Sequence, residues 1–179
     1  MNLRLKRTPG LYLIGFMAAG KSTIGRRLAH RMGWSFFDTD DEIESAEKVS
    51  IAELFSSRGE TEFRRVENLV LREHVQWIER GRPAVLALGG GAFAQEANRS
   101  LLQNNGITVW LDCPFDVVER RVANQAGAVR PLAQDPVEFR KLYETRRDVY
   151  ALADLRVAID SDDPDHTVSA ILADPFFTT

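Results

Sequence analysis

Residues Gly15-Phe16-Met17-Ala18-Ala19-Gly20-Lys21-Ser22 keep the spacing G-x-x-x-x-G-K-[ST]. They lie between a short apolar run, Leu11–Ile14, and a stretch with helical periodicity, Ser22–Met32. Such a loop works only where a strand hands over to a helix, so it constrains the fold more than any other stretch. Gly15 and Gly20 let the backbone turn and approach an anion, so that successive N–H groups and the helix N-terminus point at a phosphate. Lys21 supplies a mobile point charge for the outer phosphates, and Ser22 offers a hydroxyl to a hydrated Mg²⁺.

The remainder of the chain alternates short apolar runs with helical patterns. Strands are expected at Ser35–Phe37, Ala84–Leu88, Ile107–Leu111 and Leu155–Ile159. Helical stretches are expected over Asp40–Phe55, broken near Lys48–Ser50, and over Glu60–Arg80 after a turn at Ser56–Gly59. Others follow at Ala94–Asn104, Pro114–Ala123, Val137–Leu152 and Thr167–Leu172. No repeat, low-complexity segment or linker interrupts them. This order predicts an α/β fold: a five-stranded parallel sheet flanked by helices in three layers. Asn124–Pro131 lacks periodicity, holds Gly and Pro, and reads as a mobile loop.

At 179 residues the chain reads as one domain, long enough to bury roughly two-thirds of its unfolded surface. A net charge of −3 gives no general attraction to nucleic acid or to an anionic membrane, so any anion site must be local. The single Cys113 ends an apolar run and reads as a core residue in a reducing compartment. The basic Met1–Arg7 stretch leads into the first strand rather than into a secretory apolar region, and no apolar run approaches the ~18 residues of a membrane span. A cytoplasmic protein that binds neither membrane nor nucleic acid is therefore expected.

Five groups of residues surround the phosphate loop in an informative order. They are Asp38-Thr39-Asp40, Gly59-Glu60-Thr61-Glu62-Phe63-Arg64, Gly89-Gly90-Gly91, Arg130-Pro131-Leu132, and Arg146 with Tyr150 one turn later. From about Leu11 to Leu172 this arrangement resembles shikimate kinase, a P-loop small-molecule kinase of the nucleoside-monophosphate-kinase-like class. The resemblance implies transfer of a phosphoryl group from MgATP to the 3-hydroxyl of shikimate, a step toward chorismate, by a monomer. It implies acceptor-binding helices over about 40–80 and a lid over about 124–134.

Carried over residue by residue, the resemblance makes Lys21, Asp40 and Arg130 catalytic. Asp40 would orient the hydroxyl and accept its proton, while Arg130 would close over the phosphates. Nucleotide contacts would come from Gly15, Ala18, Ala19, Gly20, Lys21, Ser22 and Thr23, with Arg121 or its neighbour Arg120 on the adenine, and further contacts near Ser161 and Asp162. Arg64 and Arg146 would grip the acceptor's carboxylate, Glu67 would brace Arg64, and Gly89, Gly90 and Gly91 would line the acceptor site. Ser22 and Asp38 would hold the metal, Asp38 through water. Phe55 and Phe63 match apolar walls of the family pocket and equally suit a core; on the residues alone, Arg65 and Arg147 read as solvated helix-face charges.

Three readings remain open on local sequence. Asp38-Thr39-Asp40 suits a helix N-cap supplied by Thr39 or Asp40. Ala18 stands where the family has glycine, and is tolerable at negative φ but strained at positive φ. The lid continues with Ala133 where a second leucine is usual. Two alternative functions follow: a related kinase for another small hydroxy acid or polyol, or a catalytically weak nucleotide-binding homologue.

Overall fold

Alternation along the central strand recruits the two helical layers. In the computed structural model, which describes residues 10–125 and 135–177, β1 (Gly10–Ile14) is fully buried between β3 (Ala84–Ala87) and β4 (Gly106–Asp112). β2 (Ser35–Asp38) and β5 (Leu155–Ala158) close the edges, and the order β2-β3-β1-β4-β5 is parallel throughout. Successive side chains of a strand face opposite ways. Leu13 faces α1 (Lys21–Met32), whose Gly25 packs so close that a Cβ there would lie 3.2 Å from Leu13 and 2.5 Å from Phe36. Tyr12 faces the other layer and donates its hydroxyl to the carbonyl of Asn105, at the end of α4 (Glu96–Asn105), at 3.3 Å.

α2 (Thr39–Glu47) and α3 (Ile51–Glu79) carry a second small core of Ile43, Leu54, Phe63, Val66 and Val70. α3 begins with a full capping box in which Ser50 and Glu53 satisfy each other's backbone N–H. The turn expected over Ser56–Gly59 is narrower than the residue types suggest. Ser56 and Ser57 stay helical, returning their hydroxyls to the carbonyl of Glu53, and only Gly59 leaves the helix, at φ 81 and ψ 171. That single left-handed residue kinks one long helix, which a β-carbon would resist.

The remaining elements are α5 (Phe115–Asn124), α6 (Pro136–Tyr150) and α7 (Pro164–Leu172), the last packed on α1. Their bounds lie within three residues of those expected, and Cys113 is buried. The connection from β1 runs to one edge of the sheet and that from β3 runs toward the other. The crevice between their carboxyl ends is therefore where an open α/β sheet places a ligand. Among the described residues no helix is long and apolar enough to cross a membrane.

The layers are held by ordinary core packing. Leu71 of α3 is fully buried whereas Leu69, on the same helix, is 46% exposed. Leu71→Ala is expected to cost about 2–5 kcal/mol in urea denaturation, and Leu69→Ala less than about 0.5 kcal/mol.

Candidate active site

The phosphate loop leaves β1 at Ile14 and enters α1 at Lys21, with Gly20 as N-cap at φ 96 and, among the described residues, no side-chain hydrogen bond capping the helix. Lys21 Nζ folds back over its own loop and donates to the carbonyls of Gly15 (2.8 Å) and Phe16 (2.9 Å). Phe16 packs edge-on against Tyr143 and tilted against Phe139, so α6 supports the loop from behind. Ala18 adopts φ 61, the strained alternative for this position. Its carbonyl accepts from Arg121 Nη1 at 3.0 Å, which holds the turn in that conformation.

β2 ends at Asp38, and its carboxylate does two jobs. One oxygen accepts from the backbone N–H of Asp40, capping α2, and the other accepts the hydroxyl of Ser22. The cap is thus Asp38, not Thr39 or Asp40 as the local sequence suggested. Thr39 is fully buried, and its Oγ1 accepts from the N–H of Gly89 at 3.1 Å, tying the glycine loop to α2. Asp40 is left with its carboxylate in the crevice. Burial and the neighbouring Asp38 push its pKa above the ordinary carboxylate range, while Lys21 opposes them.

The glycines after β3 owe part of their identity to close approach. A Cβ on Gly89 would lie 2.7 Å from Asp40 Oδ1, and one on Gly91 would overlap the guanidinium of Arg64. Gly90 offers its carbonyl to the hydroxyl of Tyr150 at 2.6 Å. Tyr150 lies one turn after Arg146 on α6, so this bond ties the arginine's helix to the glycine loop.

Arg64 donates from Nη1 to both oxygens of Glu67, at 2.9 and 3.1 Å. Glu67 is 1% exposed. Burial pushes its pKa up against the pull of Arg64, and the charges of Asp40 and Arg146 also reach it. A cavity of about 770 Å³ joins these parts, lined among others by Lys21, Asp40, Arg64, Glu67, Gly90 and Arg146. Phe55 and Phe63 line it as well, their rings tilted against each other at 4.5 Å between centroids.

A second hollow, about 420 Å³, adjoins the loop on its other side between Ala18, Thr23, Arg121, Ser161, Asp162 and Pro164. Arg120 and Arg121 both pair with Asp162, but only Arg121 also touches the phosphate loop and lines this hollow. Of the two arginines, Arg121 is therefore the one that reaches the phosphate loop.

Arg147 is not the solvated charge expected. It forms a two-armed pair with the buried Asp112, donates to Tyr143 at 2.9 Å, and lies 5.1 Å over the ring of Trp110. Asp112 ends β4, and a carboxylate there needs a cation when the next layer covers it. Arg65 does remain at the surface, paired with Glu62. Sequence reasoning missed the Thr39–Gly89 tie and the Arg147–Asp112 anchor; for the second, the signal available was an acidic residue closing an apolar strand. Arg130 and positions 126–134 of the expected lid lie outside the described residues.

Comparison with known proteins agrees with this geometry. The family model described as shikimate kinase matches residues 17–174. A shikimate kinase of Synechococcus elongatus is 42% identical over 166 residues, covering 90% of this chain and 84% of its own. The crystal structure of shikimate kinase from Aquifex aeolicus superposes with a TM-score of 0.79 at 35% identity, over 91% of this chain and 94% of that one. Shikimate kinase from Acinetobacter baumannii in complex with shikimate gives 0.82 at 34% identity, over 92% and 90%. A sugar kinase from Janibacter, at 19% identity and a TM-score of 0.63 over 92% of both chains, shares the fold.

Two outcomes are expected. Ala18→Gly removes the left-handed penalty of about 1–2 kcal/mol, partly offset by a more flexible unfolded chain. A gain of roughly 0.5–1 kcal/mol in denaturant unfolding checks it. The acceptor KM should rise on acidification as Glu67 takes up a proton and releases Arg64. Because the Glu67 pKa is raised, the rise begins above the ordinary carboxylate range of about 4, and steady-state kinetics of Glu67→Gln should lack that limb.

Proposed function

The chain belongs to the shikimate kinase family, and from that premise we propose that it transfers the γ-phosphoryl group of ATP to the 3-hydroxyl of shikimate. The observation that carries this reading is the cavity in which a phosphate loop, a partly desolvated carboxylate and two arginines face one another. Arg64 and Arg146 grip the acceptor's carboxylate, with Glu67 fixing the first of them through two hydrogen bonds. That grip turns the ring so that its hydroxyl meets Asp40 at the mouth of the phosphate loop. The hydroxyl oxygen forms a bond to the γ-phosphorus, the bond to the β–γ bridging oxygen breaks, and ADP leaves with that electron pair. Asp40 orients the hydroxyl and takes its proton as the new bond forms. Lys21 and the loop N–H groups of Gly15 to Ser22 stabilise charge on the outer phosphates.

Ser22 and Asp38, already hydrogen-bonded to each other, are hard oxygen donors of the kind a hydrated Mg²⁺ takes. Such an ion would offset negative charge on the transferring phosphoryl. Arg121 supplies the adenine side together with the hollow around Pro164, and Thr23 borders both cavities. Arg130 as a closing residue rests on its Arg-Pro-Leu setting in the sequence. A monomer acting in the cytoplasm on two small molecules, with no nucleic acid or membrane partner, completes the reading.

In a coupled assay of ADP release, shikimate should support turnover. Asp40→Asn should lower kcat by roughly 10²–10⁴-fold while circular dichroism stays native. Arg146→Lys should raise the shikimate KM by roughly 10–100-fold, the loss of a bidentate charged contact. Turnover with gluconate or AMP and none with shikimate would overturn the assignment.

A further inference from the structure

Asn98 of α4 is a buried amide in a helix to which nothing above assigns a part in the reaction. It is 1% exposed, and an amide in such a place is costly unless its donors and acceptor are met. Its donors are met by the acceptor site's own scaffold and its acceptor by a neighbour outside it. Nδ2 donates to the carbonyl of Ala92 at 3.0 Å, where the Gly89–Gly91 loop ends, and lies 3.5 Å from Glu67 Oε1, the oxygen that also accepts from Arg64. Oδ1 accepts from Asn68 Nδ2 at 2.7 Å, and Asn68 Oδ1 in turn accepts from Arg72 Nε at 2.8 Å, so the amide is held in one orientation from outside.

Both targets of that Nδ2 lead to a single cation. Glu67 holds Nη1 of Arg64 directly, and Ala92 directly follows Gly91, where a β-carbon would overlap Nη2. We propose that Asn98 is a positioning residue of the acceptor site, fixing the Glu67 carboxylate and the glycine loop on either side of Arg64 so that the guanidinium is pre-aimed at the acceptor's carboxylate. It does not touch the nucleotide loop. Its effect falls on acceptor binding, and the inference rests on the functional reading above.

Three variants test it: Asn98→Leu, which removes both donations; Asn98→Asp, which sets a carboxylate against Glu67 and the Ala92 carbonyl; and the milder Asn68→Ala, which removes the outer brace. The shikimate KM should rise roughly tenfold in Asn98→Leu and further in Asn98→Asp, with the ATP KM within about twofold of wild type. A packing defect alone would move both KM values and would follow thermal stability rather than charge. The Nε–Hε resonance of Arg64, assigned with Arg64→Lys, is the second readout. It should shift or broaden in either Asn98 variant, and to a smaller degree in Asn68→Ala.

An unchanged shikimate KM in folded Asn98→Leu and Asn98→Asp overturns the proposal, as does a parallel rise in both KM values. Should neither Asn98 variant fold, Asn68→Ala decides, and an unaltered Arg64 resonance with an unaltered KM overturns it. If wild-type protein fails to phosphorylate shikimate, the functional assignment falls separately. The Arg64 resonance then still decides the positioning role, because it needs no turnover.

Discussion

The hydrogen bond from Leu88 N–H to the Leu13 carbonyl, 3.0 Å long, extends the β1–β3 ladder beyond its last paired residues. Everything at the site depends on that parallel register. Leu13 and Asp38 both pair with Ala87 on β3, so three strands end on one line. The phosphate loop, the capping carboxylate and the glycine loop leave from that line within reach of one another. A parallel sheet requires it, since every crossover helix returns the chain to the same edge before the next strand begins.

Charge is the second constraint. Asp38, Asp40 and Glu67 face Lys21, Arg64 and Arg146 around one cavity. Burial pushes Asp40 and Glu67 toward protonation, and the cations hold them against it. Such an arrangement is a weak source of stability, because desolvation consumes much of the Coulomb attraction. Its use is geometric: a buried carboxylate with two hydrogen bonds to one guanidinium leaves that guanidinium few orientations. The Asp112–Arg147 pair works alike one layer away, anchoring α6 to the end of β4 beside the helix face that carries Arg146.

How legible the site was depended on the range of the interaction. The phosphate loop is local: its geometry follows from eight adjacent residues, and its strand and helix neighbours were readable from periodicity. Asp40, Arg64 and Arg146 were found only through the order of motifs around that loop, since each alone is an ordinary charged residue at a helix end or face. Thr39 and Arg147 escaped because their partners, Gly89 and Asp112, are 50 and 35 positions away. The cap of α2 was placed one or two residues late, at Thr39 or Asp40, for a related reason: Asp38, Thr39 and Asp40 are all good caps, and which one serves depends on where β2 stops.

Sequence alone determined the alternation of strands and helices, the phosphate loop and the family, because these rest on periodicity and on short motifs whose spacing carries its own mechanics. Tertiary structure decided the rest. It placed Ala18 in the left-handed region under the grip of Arg121, a conformation that its neighbours in sequence do not impose. It brought Arg121, and not Arg120, against the phosphate loop, and it made Arg147 an anchor rather than a surface charge. It also brought the Asp40 carboxylate and the Arg64 guanidinium so close to Gly89 and Gly91 that a β-carbon at either position would displace them. The physical reason is common to all four: a side chain's role is set by what packs against it, and those partners come from strands and helices that meet only when the sheet has formed.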